Sequence, residues 1–511
     1  MRRTISATAL VLMSAAAIAA GVGRSTDASQ AVRAPALAGQ FYPEDARALR
    51  AALDGFLRDA VAARVTEPVA LVVPHAGYIY SGQIAADAYG QVAGLPVETV
   101  VILGTNHTNG SFRRISVYDG DGYRTPLGVA RVDKALAAAL VKDGGGVFDS
   151  TLHRGEHSVE VQVPFVQHVF PKATIVPVVV GSPDPDACRR FGKALASLAG
   201  SRKLLIVASS DLSHYPTRRA AAGVDRQTLE AIANLRTDGF DSSPTRSTSL
   251  QMPGVSTCAC GEGPIRIAME AARALGARRG TVVSYANSGD TVIGDPDRVV
   301  GYGAVAFGRG EPGADLGALS RRQPDPSGAL DAEDKRVLLR LARETLTRFL
   351  ETDTLPLPRG GSPKLLREAG AFVTIRKQGE LRGCIGRIQP EGELIGLVAR
   401  LALESALKDP RFQPVHRGEI RDLEFEVSVL TPMSPVSSPD AVVPGRDGVL
   451  LRVGDRSAVF LPQVATEQRW GRVELLDRLA EKAGLPARAW RGKNASLWTF
   501  QADVFSESGL R

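Results

Sequence analysis

Short, wholly apolar runs alternate with amphipathic stretches through the first 300 residues of this chain, and that alternation restricts its fold most. The runs are Val69–Val73, Val100–Leu103, Ile175–Val180 and Leu204–Ala208. Each is too short for a helix and apolar at every position, as in strands buried on both faces of a sheet. Between them, apolar residues recur at helical spacing from about Asp45 to Ala60, around Ile84–Val92, around Lys134–Val141 and over Pro185–Leu198. Thr281–Tyr285 and Val299–Phe307 complete the set. Strands alternating with helices predict an α/β three-layer sandwich.

The chain has 511 residues, more than one ordinary core organises, so two domains are expected. Residues 309–330 are rich in proline and glycine without periodicity and read as a linker. From Asp331 the pattern changes to an amphipathic helix through Phe349. Shorter strands follow at Ala371–Lys377, Leu423–Leu430, Val449–Val453 and Ala458–Leu461. Residues 331–511 are therefore a smaller α+β domain.

Charged residues make up 23% of the chain, and its net charge of +7 is scattered without blocks, which argues against a nucleic-acid surface. At the start, Arg2-Arg3 precedes an uncharged, alanine-rich stretch to Gly23, with small residues such as Ala17-Ile18-Ala19 near its exit. These are the regions of a signal peptide, assigned to residues 1–28. Export to a periplasm or medium is expected. An uncleaved leader acting as an anchor is the alternative, but its alanines and glycines dilute the hydrophobicity that stable insertion needs.

Three of only seven histidines follow apolar runs: His75 in Pro74-His75-Ala76-Gly77-Tyr78, His107 in Asn106-His107, and His214 in Ser209-Ser210-Asp211-Leu212-Ser213-His214. Carboxyl ends of strands in open α/β sheets are where ligands bind. Cys260, in Cys258-Ala259-Cys260-Gly261, offers a thiolate on a tight loop, with Cys258 expected to point away. Two imidazoles and a thiolate make a metal set, and a further imidazole is a ready acid or base. If Ser209–His214 forms a helical turn, Asp211 and His214 share a face, and the carboxylate sets the tautomer of the base. Glu156-His157-Ser158-Val159-Glu160 reads either as an acidic helix N-terminus or as groups orienting a ligand or substrate. In the second domain, Leu381-Arg382-Gly383-Cys384-Ile385-Gly386 reads as a glycine-shaped loop holding a thiol and an anion-binding arginine. His416 reads as a surface residue.

These residues carry two resemblances. Ala38-Gly39-Gln40-Phe41-Tyr42-Pro43, Pro74 to Gly82, Thr125-Pro126-Leu127-Gly128, Glu156 to Glu160, Ser209 to His214, Cys260-Gly261 and Val299-Val300-Gly301-Tyr302 resemble the Memo family over residues 33–308. That family is similar in fold to class III extradiol dioxygenases, which hold non-haem iron with two histidines and a carboxylate. The resemblance implies His75, His107 and Cys260 as ligands of one metal ion, with Cys260 in the carboxylate's place. Iron(II) is the first expectation, with copper or zinc also suited to a thiolate. It further implies His214 in the catalytic histidine's place. With it, Asp211 is expected to orient His214, His157 to serve as a catalytic residue in contact with substrate, and Tyr78 and Glu156 to bind substrate.

Gly370-Ala371-Phe372-Val373, Leu381 to Gly386, Asp409-Pro410-Arg411-Phe412, Glu426 to Leu430, Leu461-Pro462-Gln463-Val464 and Lys482 to Leu485 resemble the AMMECR family. Its activity is poorly defined, so this resemblance implies a fold. Arg382 and Cys384 are expected to add to the substrate pocket. Proteins of the two kinds are associated with a radical-SAM protein. The expectation is a metal-dependent, dioxygenase-like redox enzyme acting on a small oxygenated or aromatic molecule. A non-catalytic metal-binding or interaction protein and a zinc-type lyase or hydrolase are the alternatives.

Overall fold

A computed structural model describes residues 32–181, 184–200, 202–237, 255–310 and 328–510. The signal peptide and most of the linker read from the sequence lie outside the described residues. Among those described, no helix is long and apolar enough to cross a membrane.

The strands of the first half are β1 (Val32–Arg33), β2 (Pro68–Val73), β3 (Thr99–Thr105), β4 (Ile115–Val117), β5 (Gly122–Thr125) and β6 (Gly128–Arg131). They continue as β7 (Val147–Phe148), β8 (Thr174–Val180), β9 (Leu204–Ser209), β10 (Gly280–Asn287) and β11 (Gly301–Gly308). Eight form one sheet in the order β10-β11-β2-β9-β3-β8-β4-β7. The four all-apolar runs become its parallel centre, β2-β9-β3-β8. The last two strands join antiparallel.

Period-two alternation sends successive residues to opposite faces. Leu71, Val73, Val100, Ile102, Leu205 and Val207 pack under the helices Ala46–Arg58, Tyr78–Gly90 and Val163–Val169. Ala70, Val72, Val101, Leu103, Ile206 and Ala208 pack under Lys134–Gly144, Pro185–Ala199, Arg218–Ala233 and Glu262–Ala274. Two cores, one per face, make the three layers. Each fully buried valine, leucine or isoleucine contributes about 1.5–3 kcal/mol, which is why both faces of these strands must be apolar. Side-chain caps from Asp45 and Asp133 start two of the helices.

The second half is α+β. Its strands are β12 (Ala371–Lys377), β13 (Glu380–Arg387), β14 (Leu423–Leu430), β15 (Ser434–Val436), β16 (Gly448–Val453), β17 (Arg456–Phe460), β18 (Ala495–Phe500) and β19 (Ala502–Ser506). They form two antiparallel sheets, β13-β12-β14-β19 and β15-β18-β16-β17. The helices Ala332–Thr352, capped by Asp331, and Leu394–Leu407 share a core with the first sheet. The motif Leu381–Gly386, read from the sequence as a loop, is the body of β13. Its glycine has a packing reason: a Cβ on Gly383 would sit 2.1 Å from the carbonyl oxygen of Ser405 on the helix behind it.

Candidate metal centre

β2 and β3 deliver His75 and His107, yet they are not neighbours, because β9 runs between them. Two strand spacings, roughly 9.5 Å, separate their axes. The imidazoles therefore converge above the end of β9, at Ser209, with ring centroids 5.3 Å apart. Cys260 closes the group from the loop before helix Glu262–Ala274, its Sγ 3.1 Å from Nε2 of His75. That loop rides directly on the end of β9. Cys260 N–H donates to the Asp211 carbonyl, Gly261 N–H donates to Ser210 Oγ, and a Cβ on Gly261 would lie 2.6 Å from the Ser209 carbonyl oxygen. One donor atom from each of His75, His107 and Cys260 lies within 4.8 Å of the others, and Cys260 rather than Cys258 completes the set.

The hydrogen bonds behind the rings decide which nitrogen faces inward. Ser209 Oγ donates its one proton to the Ser158 carbonyl at 2.6 Å and accepts from Gln162 Nε2 at 2.9 Å. Toward His75 Nδ1, 3.0 Å away, it can only accept. Nδ1 therefore carries the proton, and the Nε2 lone pair is turned to Cys260. Glu156 does the same for His107. Its carboxylate accepts from Nδ1 at 2.9 Å and from the His107 backbone N–H at 2.6 Å, and it also accepts from the Ser158 N–H. Two Nε2 atoms and a sulfur gathered at one point are a donor set that could hold a metal ion, with groups behind the rings of the kind that fix ligand tautomers.

Electrostatics treats the three donors differently. Burial, with the neighbouring His107, His157 and His214, holds His75 well below the usual histidine range, so it is neutral and free to ligate. At His107 burial opposes the charged form, but the hydrogen bond and charge of Glu156 outweigh it and raise the pKa. Burial, assisted by the Asp211 charge, pushes the Cys260 thiol up. A thiol so placed becomes a thiolate only against another cation.

Around this core lie His157 and His214. The His157 ring stacks on His107 at 4.4 Å and meets His75 edge-on, while Phe41 covers its other side at 5.2 Å. His107 is 31% and His157 22% exposed, so the cluster opens to solvent there. The Nε2 of His214 is buried without a hydrogen-bond partner among the described residues. Burial, then the charge of His107, brings its pKa down to about 4.

Several expectations are corrected. Asp211 does not orient His214. Residues 211–213 have no regular secondary structure and His214 forms an isolated antiparallel bridge with Val300, so the helical turn that would put Asp211 and His214 on one face does not form. The Asp211 carboxylate instead accepts from the backbone N–H groups of His75 and Ala76 at 2.8 and 3.3 Å, bracing the loop that carries His75. Tyr78 is not a substrate contact. It is buried, with its hydroxyl donating to the Val161 carbonyl at 2.7 Å. Glu156, 1% exposed and occupied by His107 and Ser158, orients the His107 ring rather than meeting substrate. Glu160, in the same motif, anchors the N-terminal segment through Arg33, Tyr42 and the N–H groups of Ala36 and Leu37.

Arg382 and Cys384 do not join the histidines. Arg382 donates to Glu419 and to the Gln413 carbonyl. The Cys384 N–H donates to Asp409, which Arg411 also engages. His416 is on the surface. Sequence reasoning overlooked Ser209 and Gln162 as the groups that fix the His75 tautomer, and Phe41 as a cover. Ser209 could have been found as the last residue of the strand between the two histidines. The other two give no local signal.

The profile of Memo-like proteins matches residues 33–306, and that of AMMECR1 matches residues 339–505. A MEMO1 family protein of Methanopyrus kandleri is 39% identical over 293 residues, covering 54% of this chain and 99% of the relative. One from Aquifex aeolicus is 38% identical over 277 residues, with the same coverage. The crystal structure of an uncharacterized protein from Pyrococcus horikoshii matches 34% of this chain and 91% of its own, at 36% identity and a TM-score of 0.32.

Proposed function

The chain belongs to the Memo-like protein family, and on that premise we propose that its first half is a metal-dependent redox enzyme acting on a small oxygenated or aromatic molecule. The observation that carries this reading is the convergence of His75, His107 and Cys260 on one point, with both imidazole tautomers fixed from behind. The donor set suits one transition-metal ion, iron(II) first by family, with copper and zinc as the other ions that imidazole and thiolate accept. Bound there, such an ion supplies Lewis acidity and, if redox-active, electrons.

The protein's own groups do the rest. Three side-chain donors leave room for substrate on the side where His107 and His157 reach solvent. His157 lines that opening, and Phe41 limits its width. His214, neutral at physiological pH, accepts a proton at Nε2 from a bound hydroxyl. Asp211 keeps the His75–Ala76 backbone in place while this happens.

Anaerobic purification, metal analysis and oxygen uptake with catechols test the reading together. About one equivalent of iron or copper with substrate-dependent oxygen uptake supports it. Less than a tenth of an equivalent of any metal overturns it. Zinc alone, with hydrolysis of an ester or amide probe, favours the second reading, a zinc lyase or hydrolase, which two imidazoles and one thiolate with an open position also support. Metal without turnover of any probe makes the site a binding module.

A further inference from the structure

The first half contains a buried carboxylate whose counter-charge comes from the second half. Asp87, on helix Tyr78–Gly90, is 0% exposed. Its Oδ2 accepts from Arg359 Nη1 at 2.6 Å, and its Oδ1 from Arg359 Nη2 at 2.9 Å, from the Val61 N–H at 3.0 Å and from Gln83 at 3.4 Å. Among the described residues Arg359 is the one cation paired with it. The same Nη2 reaches the Asp59 carbonyl at 2.5 Å, while Arg348 pairs with the Asp59 carboxylate. Apolar residues interlock beside these pairs. Val292 of the first half belongs to the second half's core, and Leu357 packs against the first half's. A bidentate, buried guanidinium–carboxylate pair is geometrically exacting, and removing one partner strands the other charge.

Helix Tyr78–Gly90 begins three residues after His75. Ser81 Oγ donates to the Ala76 carbonyl at 2.9 Å, tying its first turn to the metal loop, and Tyr78 N–H donates to the Phe41 carbonyl at 2.7 Å. We propose that the second half is an intramolecular clamp. Its docking surface is the face made by Ala46–Arg58 and Tyr78–Gly90, and Arg359 is a positioning residue that, through Asp87, holds the helix and the His75 loop at its head. Only the consequence for metal chemistry rests on the proposed function; docking and loop order do not.

The test uses the full-length protein after chelator treatment, so that absence of a metal site leaves it readable. Arg359→Gln, Asp87→Asn and the double variant are compared by amide hydrogen exchange and by the rate at which Cys260, identified by peptide mapping, is alkylated. Arg359→Gln should speed exchange across residues 78–90 roughly a hundredfold. It should also speed Cys260 alkylation severalfold while exchange in β12 and β14 stays at the wild-type rate. The double variant, which removes both charges, should recover most of the protection. If Arg359→Gln does not fold, the double variant must still fold with intermediate exchange; failure of both, or a double variant no better protected than Arg359→Gln, overturns the proposal. So does wild-type exchange across 78–90 in Arg359→Gln. Faster exchange with unchanged Cys260 alkylation refutes the positioning role.

Discussion

Each half of the molecule places a cysteine next to a glycine among polar side chains, and the two neighbourhoods are built in opposite ways. Around Cys384 charges are paired off at hydrogen-bonding distance: Arg382 and Lys377 on Glu419, and Arg411 on Asp409. Around Cys260 the hydrogen bonds that hold the rings sit behind them, at Ser209 and Glu156, while the Nε2 of His75 meets only the Cys260 sulfur and that of His214 has no partner among the described residues. Closed charge networks specify a local structure. Buried ligating atoms held together at a strand-end edge without a full set of partners are costly, and that distinguishes a candidate binding centre from a closed network.

The most forceful way to break this comparison is to exchange the two cysteines' roles. His75→Ala or Cys260→Ser should lower metal affinity by more than about a hundredfold, beyond the effect usual for groups behind the ligands. Cys384→Ser should leave metal content unchanged. Metal titration on each purified variant decides it, and loss of metal in Cys384→Ser would mean that the second neighbourhood is not closed.

Glu156→Gln sharpens the claim about what stands behind the ring. The amide keeps the size but loses the charge and one acceptor, so metal affinity should fall about 10–100-fold with the fold intact by circular dichroism. An unchanged affinity would reduce Glu156 to a helix cap. A smaller effect should appear with pH. Burial holds the Cys260 thiol protonated through neutrality, so each ion bound must expel that proton. After correction for metal hydrolysis, affinity should then rise about tenfold per pH unit or more between pH 6 and 8, since His107, whose charged form Glu156 favours, also gives up its proton on binding. A flat profile would remove the thiol from the ligand set.

The smallest expected effect belongs to the closed network. Hydrogen bonds from Arg382 and Lys377, against the opposing desolvation, bring Glu419 from 4.5 down to about 2. The folded pKa lies below the unfolded one, so this carboxylate stabilises the fold above pH 4.5 and loses that contribution as pH falls toward 2. Glu419→Gln should lower the second half's melting temperature by about 2–4 °C at pH 6. The gap should narrow by pH 3, and a gap that widens in acid would contradict the assignment.

Much of this was legible in the chain itself. Four all-apolar runs became the parallel centre of the sheet, because a run apolar at every position can be buried only with cover on both faces. The strand-end placement of His75 and His107 followed from the same runs. The helical reading of Ser209–His214 failed because a local spacing argument cannot see the pairing of His214 with Val300. Likewise Tyr78 stands in the middle of a motif that looks functional, and its hydroxyl is spent on the Val161 carbonyl.

Sequence by itself determined which segments are buried, where the strands end, and hence that two imidazoles stand at one edge of a sheet. Tertiary structure alone decided that β9 lies between them, that Ser209 fixes the tautomer of His75 from 134 residues away, and that Arg359 neutralises Asp87 across 272. The physical reason is the range of the forces involved. Periodic burial and capping act within a few residues and leave a pattern in the chain. The direction of a lone pair and the pairing of a buried charge depend on single atoms brought together only when distant segments pack.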